Sequence, residues 1–175
     1  MARRNYAFDA NMQLSDGGAA YTAAGYAQVG GAQSILDLGG NQGITITLPS
    51  IADSSTITPQ QARIDLVAVI YISAITISGS DVYKVGVVGS NNASVNSSNV
   101  LLGMLQFGEG ANMDITNGAN SHAPAGAGKF PAGDQYELLF TNEYQGTPYE
   151  FISMYITGTF GSITFISFAS VLPRE

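Results

Sequence analysis

The chain has 175 residues, a length that suits one domain able to bury a sizeable core without covalent staples. Apolar residues make up 45% and charged residues only 11%, against about 25% in ordinary soluble domains, so it is no disordered tail and its polar surface rests on Ser, Thr, Asn, Gln and Gly. A net charge of −7 with six Lys plus Arg argues against neutralising nucleic-acid phosphates or seeking an anionic membrane, and the lack of cysteine excludes disulfides, a thiolate zinc site and a cysteine nucleophile.

Residues 1–13 mix Arg, Asn and aromatic side chains without a period, and read as an extended arm. No apolar stretch follows Arg3 and Arg4, so the start is not a secretory signal and synthesis in the cytoplasm is expected. Residues 14–175 read as one β-domain. Gly17-Gly18 breaks the chain, and 19–31 forms an irregular first strand around Tyr21, Tyr26 and Val29. A short strand over 34–38 ends at Gly39-Gly40, and 43–49 alternates apolar residues with Thr in the period of a half-buried strand. A polar connection covers 50–61.

The strongest signal is 62–78, a β-branched run. Ile64, Leu66, Ala68, Ile70, Ile72 and Ala74 share one face and Val67, Val69 and Tyr71 the other, which predicts a central strand covered on both sides. The turn Gly79-Ser80-Asp81 and the strand 82–88 after it read as its hairpin partner. A polar loop over 89–99, a strand over 100–107 and an irregular Gly/Ala/Asn-rich stretch over 108–131 follow. Strands over 134–142, 149–159 and 162–172 complete the chain. About eight strands and no convincing helix of three turns predict an all-β, two-sheet antiparallel sandwich of jelly-roll type.

Reactive chemistry is sparse. His122 is the only histidine, and no Gly-x-Ser-x-Gly elbow accompanies it, so it reads as an ordinary loop residue. Gly126-Ala127-Gly128-Lys129-Phe130 shares only a Gly-Lys pair with a phosphate-binding loop: Ala123 stands where the first glycine belongs and Phe130 where Ser or Thr does. Glu137, Glu143 and Glu150 are candidates for a glycosidase carboxylate pair, but they flank a turn around 145–148 and read better as solvated residues. Asp114, Asn117 and Asn120 lack the alternation of a calcium loop. Asn92-Ala93-Ser94 and Asn96-Ser97-Ser98 match the glycosylation triplet by chance in an Asn/Ser-rich loop. No catalytic residue, cofactor site or metal site is assigned.

Three stretches carry a likeness to a known family. The first is Met12-Gln13-Leu14-Ser15-Asp16 and a small-residue run into Ile35-Leu36-Asp37-Leu38-Gly39. The second is Tyr83-Lys84-Val85-Gly86-Val87-Val88-Gly89-Ser90. The third runs from Phe140-Thr141-Asn142 through Tyr149-Glu150-Phe151-Ile152-Ser153-Met154-Tyr155 to Gly158-Thr159-Phe160-Gly161-Ser162-Ile163. In strand order and turn residues the chain resembles the jelly-roll cement, or decoration, proteins of tailed-bacteriophage capsids. The arm before Met12 and the loop over 112–130 depart from that pattern.

The resemblance implies a non-enzymatic structural protein on the outer surface of the virion head. Its partners would be the major capsid protein, whose neighbouring subunits it cements, and itself in a homodimer or homotrimer. Neither nucleic acid nor membrane would be a partner. Arg3, Arg4, Tyr6 and Phe8 are the candidate interface anchors on the arm, since Arg and aromatics are favoured there; an idle, frayed terminus is the competing reading. The rival functions are a carbohydrate-binding β-sandwich module and a tail or baseplate component.

Overall fold

The computed structural model describes residues 9–39, 44–45, 56–57, 62–76, 81–108, 132–159 and 161–172. A short 3-10 turn, Ala10–Met12, is capped by Asp9, whose carboxylate accepts from the Asn11 N–H at 2.9 Å. The strands are β1 (Gln13–Asp16), β2 (Gly25–Tyr26), β3 (Gln28–Val29), β4 (Ala32–Gln33), β5 (Leu36–Asp37), β6 (Ile44–Thr45), β7 (Thr56–Ile57) and β8 (Asp65–Thr76). There follow β9 (Val82–Ser90), β10 (Val100–Gly108), β11 (Gln135–Thr141), β12 (Glu143–Tyr144), β13 (Thr147–Pro148), β14 (Phe151–Thr159) and β15 (Ser162–Val171).

The long strands build two antiparallel sheets. The first has the order β1-β15-β8-β11; the second has the order β10-β9-β14-β2, with β5 also on β14. Because β2 and β5 lie end to end along β14, they act as one interrupted edge strand. Taken in chain order as strands one to eight, the sheets read 1-8-3-6 and 2-7-4-5. That is the double Greek key of a jelly roll, as the strand count and turn spacing predict.

The interruption of the edge strand is a small hairpin, β3 to β4, turned by Gly30-Gly31 at φ +61° and +80°. Two consecutive left-handed residues match the twist of a two-residue hairpin, and glycine adopts them without a Cβ clash. Ser153 occupies the gap and donates to the Ser34 carbonyl at 2.7 Å.

The strand over 82–88 is not the hairpin partner of the strand over 62–78. β8 has both edges occupied, by β15 and β11, whereas β9 lies between β10 and β14 in the other sheet. The chain therefore changes sheets between them. A short turn-forming link serves a sheet-switching corner as well as a hairpin, since sheets about 10 Å apart are within reach of a few residues. Tyr83 fastens this corner. Its buried ring faces the core, its hydroxyl donates to the Thr76 carbonyl, and the Gly161 N–H donates to it at 3.1 Å. Burial raises its pKa, the Asp81 charge adds to this, and the phenol stays a donor.

The core lies between the sheets. Leu66, Ala68, Ile70 and Ile72 of β8 face Val85 and Val87 of β9 and Met154 and Ile156 of β14, all essentially without exposure. The Val, Leu, Ile and Met side chains among them each contribute about 1.5–3 kcal/mol on burial. A bulge at Ser73 shifts the face of β8, so Ile75 rather than Ala74 continues the inward row, and Ala74 is exposed.

Candidate interaction surface

The register of the first sheet fixes which side chains share its outer face. One row across the strands reads Asp16, Ile166, Tyr71, Gln135. The next reads Gln13, Phe168, Val69, Glu137, and the third Ser170, Val67, Leu139. The first two rows are apolar where β15 meets β8 and polar on β11, at Gln135 and Glu137; the third is apolar where β8 meets β11, with Ser170 on β15. Tyr71 is 43% exposed, Leu139 46% and Ile166 37%, around Val67 and Val69, which are buried although they lie outside the core cluster. Among the described residues, three of the six exposed large hydrophobics thus share one sheet face. The sequence pattern assigned Val67, Val69 and Tyr71 to a second apolar face, and Tyr71 reaches solvent there.

Charge sits at the margins of this patch. Asp16 stands at the β1 end, Glu137 at the β11 edge, and Asp65 at the near end of β8 beside Arg63, whose Nε lies 3.2 Å from its Oδ1. An exposed pair of that kind contributes little stability. An open depression of ≈ 530 Å³ adjoins this end, lined by Arg63, Asp65, Leu102, Leu139, Phe140, Thr141 and Leu172. It continues the apolar surface from Leu139 toward the β10 edge of the second sheet.

The outer face of the second sheet is of a different kind. Gly86 leaves its centre without a side chain, and Leu101 lies over it, close enough that a Cβ at residue 86 would stand 2.8 Å from Leu101 Cδ1. The other outward side chains of this sheet mix polar residues, Lys84, Thr157 and the buried Ser90, Gln106 and Ser153, with the apolar Val88, Met104, Phe151 and Tyr155. At one end Tyr26 packs edge-on against Tyr155, with ring centroids 4.9 Å apart. Its hydroxyl donates to the Val95 carbonyl at 2.6 Å. Val95 is fully buried at φ +49°, a costly conformation for a β-branched residue, and Asn99 Nδ2 also donates to its carbonyl at 2.6 Å. The polar loop 91–99 is therefore a hydrogen-bonded cap, joined to the start of β14 by Asn91, whose Oδ1 accepts from the Glu150 N–H at 3.0 Å.

Beside the patch, Asp16 ties two turns together. One carboxylate oxygen accepts from the Gly18 N–H at 2.8 Å and the other from the Gly30 N–H at 2.7 Å. These bonds, Gly30 first, lower its pKa below the ordinary 3.8. A depressed folded pKa stabilises above the unfolded value and loses that contribution as pH falls through the folded one. Asp16→Asn is therefore expected to cost up to about 1 kcal/mol at pH 7, a value discounted for solvent screening. Urea melts of the two proteins should converge once the pH falls below the lowered pKa; a gap independent of pH would rule out the carboxylate as its source.

The arm residues Arg3, Arg4, Tyr6 and Phe8 lie outside the described residues, as do His122, the Asp114/Asn117/Asn120 cluster and the 126–130 fragment. Glu137 lies on the outer face of β11, while Glu143 belongs to the β12–β13 hairpin and Glu150 precedes β14. Among the described residues no three His, Cys, Asp or Glu side chains gather as a metal-binding group. Asn92 uses its side-chain oxygen on the N–H and hydroxyl of Ser94, at 3.0 and 2.7 Å. Ser167 is buried on the inner face opposite Ser15, and its hydroxyl has no hydrogen-bond partner. A serine without a bonded base is not an activated nucleophile. Tyr136, donating to Asp134 at 3.3 Å, is pushed up to about 12, by burial first and by the Asp134 charge second.

By fold the chain is a jelly-roll β-sandwich whose first sheet exposes Tyr71, Leu139 and Ile166 on its outer face. Comparison with protein families, curated proteins and solved structures found no match.

Proposed function

We propose that the chain is a structural protein that decorates the outside of a tailed-phage head and cements neighbouring major capsid subunits. The observation that carries this reading is the outer face of the first sheet, where Tyr71, Leu139 and Ile166 stand exposed in a chain with only 11% charged residues. Exposed apolar side chains grouped on one sheet face favour a contact there. The low charge supports it further, because charged residues are depleted at interface centres. The strand order supports the family resemblance noted in the sequence, and the sheet-to-sheet core gives the rigidity that a clamp across a pressurised shell needs.

The test is the copy number of the protein in purified virions, measured by quantitative mass spectrometry against the major capsid protein. A ratio of the same order as the capsid protein is expected. A few copies per particle would favour a tail or baseplate role. Absence from particles would overturn the proposal and direct attention to glycan binding.

A further inference from the structure

We infer that Asp16-Gly17 is a latent modification site, at which the main chain rearranges to isoaspartate through a cyclic imide, and that the Gly18 and Gly30 N–H groups latch it closed in the fold. The site stands whether or not the chain decorates a capsid.

The chemistry belongs to the dipeptide. Asp16-Gly17 is the only Asp-Gly step in the sequence. Glycine has no side chain to shield its own nitrogen, so the Gly17 nitrogen can attack the side-chain carboxyl carbon of Asp16. A Cγ–N bond forms, and one carboxyl oxygen leaves as water with the proton from that nitrogen and a second from solvent. Water then adds to the main-chain carbonyl carbon of Asp16, and its bond to nitrogen breaks. Asp16 is left joined to Gly17 through its side chain, with a free α-carboxylate. Water is the only co-reactant, and mass and charge are unchanged.

The fold dictates both members of the pair. Gly17 sits at φ +68°, and a Cβ there would stand 2.9 Å from Ile166 Cγ1, so a side chain is excluded on both counts. Asp16 is required by its bonds: Oδ1 accepts from the Gly18 N–H at 2.8 Å and Oδ2 from the Gly30 N–H at 2.7 Å. The reactive step is therefore built into the turn that leaves β1.

The same two bonds hold it closed. Each fixes one carboxyl oxygen, whereas attack requires the carboxyl to turn its face to the Gly17 nitrogen and release an oxygen. Both bonds favour the ionised form, and a carboxylate must take up a proton before its oxygen can leave as water. The main chain on the other side is held as well, since Asp16 pairs with Ile166 and the Ser15 hydroxyl donates to the Phe165 carbonyl at 2.8 Å. Rearrangement would add a carbon to the main chain at residue 16 and release the β3–β4 hairpin from β1, the edge strand of the first sheet.

The test incubates the wild-type protein folded, and in parallel unfolded in urea, at neutral pH and one temperature. Both are then digested with an endoprotease that cuts before aspartate but not before isoaspartate. Peptides that read through residue 16 measure the conversion. They are expected to accumulate in urea, and to form at least about tenfold more slowly in the folded protein. Asp16→Asn probes the latch: it leaves one acceptor oxygen for two N–H donors, and forms the same imide with loss of ammonia. Its ratio of folded to unfolded rates, read by the deamidation mass shift, should lie closer to one than that of the wild type. Amide exchange in the wild type needs no variant, and the Gly18 and Gly30 N–H groups should both be protected.

Equal conversion in the folded and unfolded protein, or free exchange at Gly18 and Gly30, would overturn the latch. No conversion in urea would overturn the site itself. Suppression in Asp16→Asn as strong as in the wild type would assign the protection to the β1 backbone and overturn the role of the two bonds.

Discussion

Replacing Asn142 by aspartate is expected to destabilise the fold by about 3 kcal/mol at neutral pH, although the two side chains are nearly the same size. Asn142 is fully buried, and each polar atom of its amide is used. Its Oδ1 accepts from the Ile64 N–H at 2.7 Å, while Nδ2 donates to the carbonyls of Ala62 at 3.3 Å and Tyr149 at 3.2 Å. Its backbone joins the same strands, donating to the Ile64 carbonyl at 3.2 Å and accepting from the Tyr149 N–H at 2.7 Å. One residue thus holds the entry to β8, the exit of β11 and the approach to β14 at one end of the sandwich.

An ionised aspartate keeps the acceptor for Ile64 but turns a second anionic oxygen toward two carbonyls. A protonated one supplies a single donor for two acceptors. Burial and those carbonyls raise its folded pKa above the ordinary value of about 3.9. An acid whose folded pKa is raised costs stability as pH climbs from the unfolded value to the folded one. The Asn142→Asp deficit should therefore be small near pH 4 and grow toward neutrality. Urea melts at the two pH values check it, with a fall in melting temperature of about 10 °C expected at pH 7 for a domain of this size. A deficit under about 1 kcal/mol at pH 7 would show that the three side-chain bonds matter little.

Much of the strand content was legible because alternation and β-branching act locally. The expected strands over 62–78, 100–107, 134–142, 149–159 and 162–172 correspond to β8, β10, β11, β14 and β15 within a few residues at each end. Pairing was not legible. The corner after Thr76 carries the residues of a hairpin turn, and only the inward Tyr83 ring and its bonds to Thr76 and Gly161 place the next strand in the opposite sheet. The β3–β4 hairpin was missed although Gly30-Gly31 is its signal, because strands of two residues show no period.

The apolar outer face was half legible. Tyr71 and its valines stood out in one strand, but Leu139 lies beside Leu138 and Ile166 beside Phe165, and each doublet hides which member points outward until the register is known. The buried role of Asn142 had no signal at all, since an asparagine that closes the expected strand over 134–142 reads as the polar end of that strand.

The Phe165-Ile166 doublet separates the core from the outer face in two adjacent residues. Phe165 is fully buried opposite Ile72, its ring centroid 5.3 Å from that of Tyr21. Phe165→Ala removes the ring but leaves the backbone carbonyl, which accepts from the Ser15 hydroxyl at 2.8 Å. The expected loss is about 4 kcal/mol, from lost transfer energy and the cavity left between two sheets that cannot close over it. Part of it should pass through Tyr21, whose hydroxyl accepts from the Gln28 N–H at 2.9 Å and lies 3.1 Å from Ser15 Oγ. Without the Phe165 ring beneath it, Tyr21 has less to hold it in that relay, so amide exchange should rise at Gln28 more than at the central strand β8. A double-mutant cycle with Tyr21→Phe should give a coupling of about 0.5 kcal/mol or more. Ile166→Ala, on the outer face, is expected to change stability by no more than about 1 kcal/mol, since the residue is already 37% exposed, and under the decoration proposal to register in binding to heads instead. A large stability loss for Ile166→Ala, or a loss below about 1.5 kcal/mol for Phe165→Ala, would reverse the assignment of the two faces of β15.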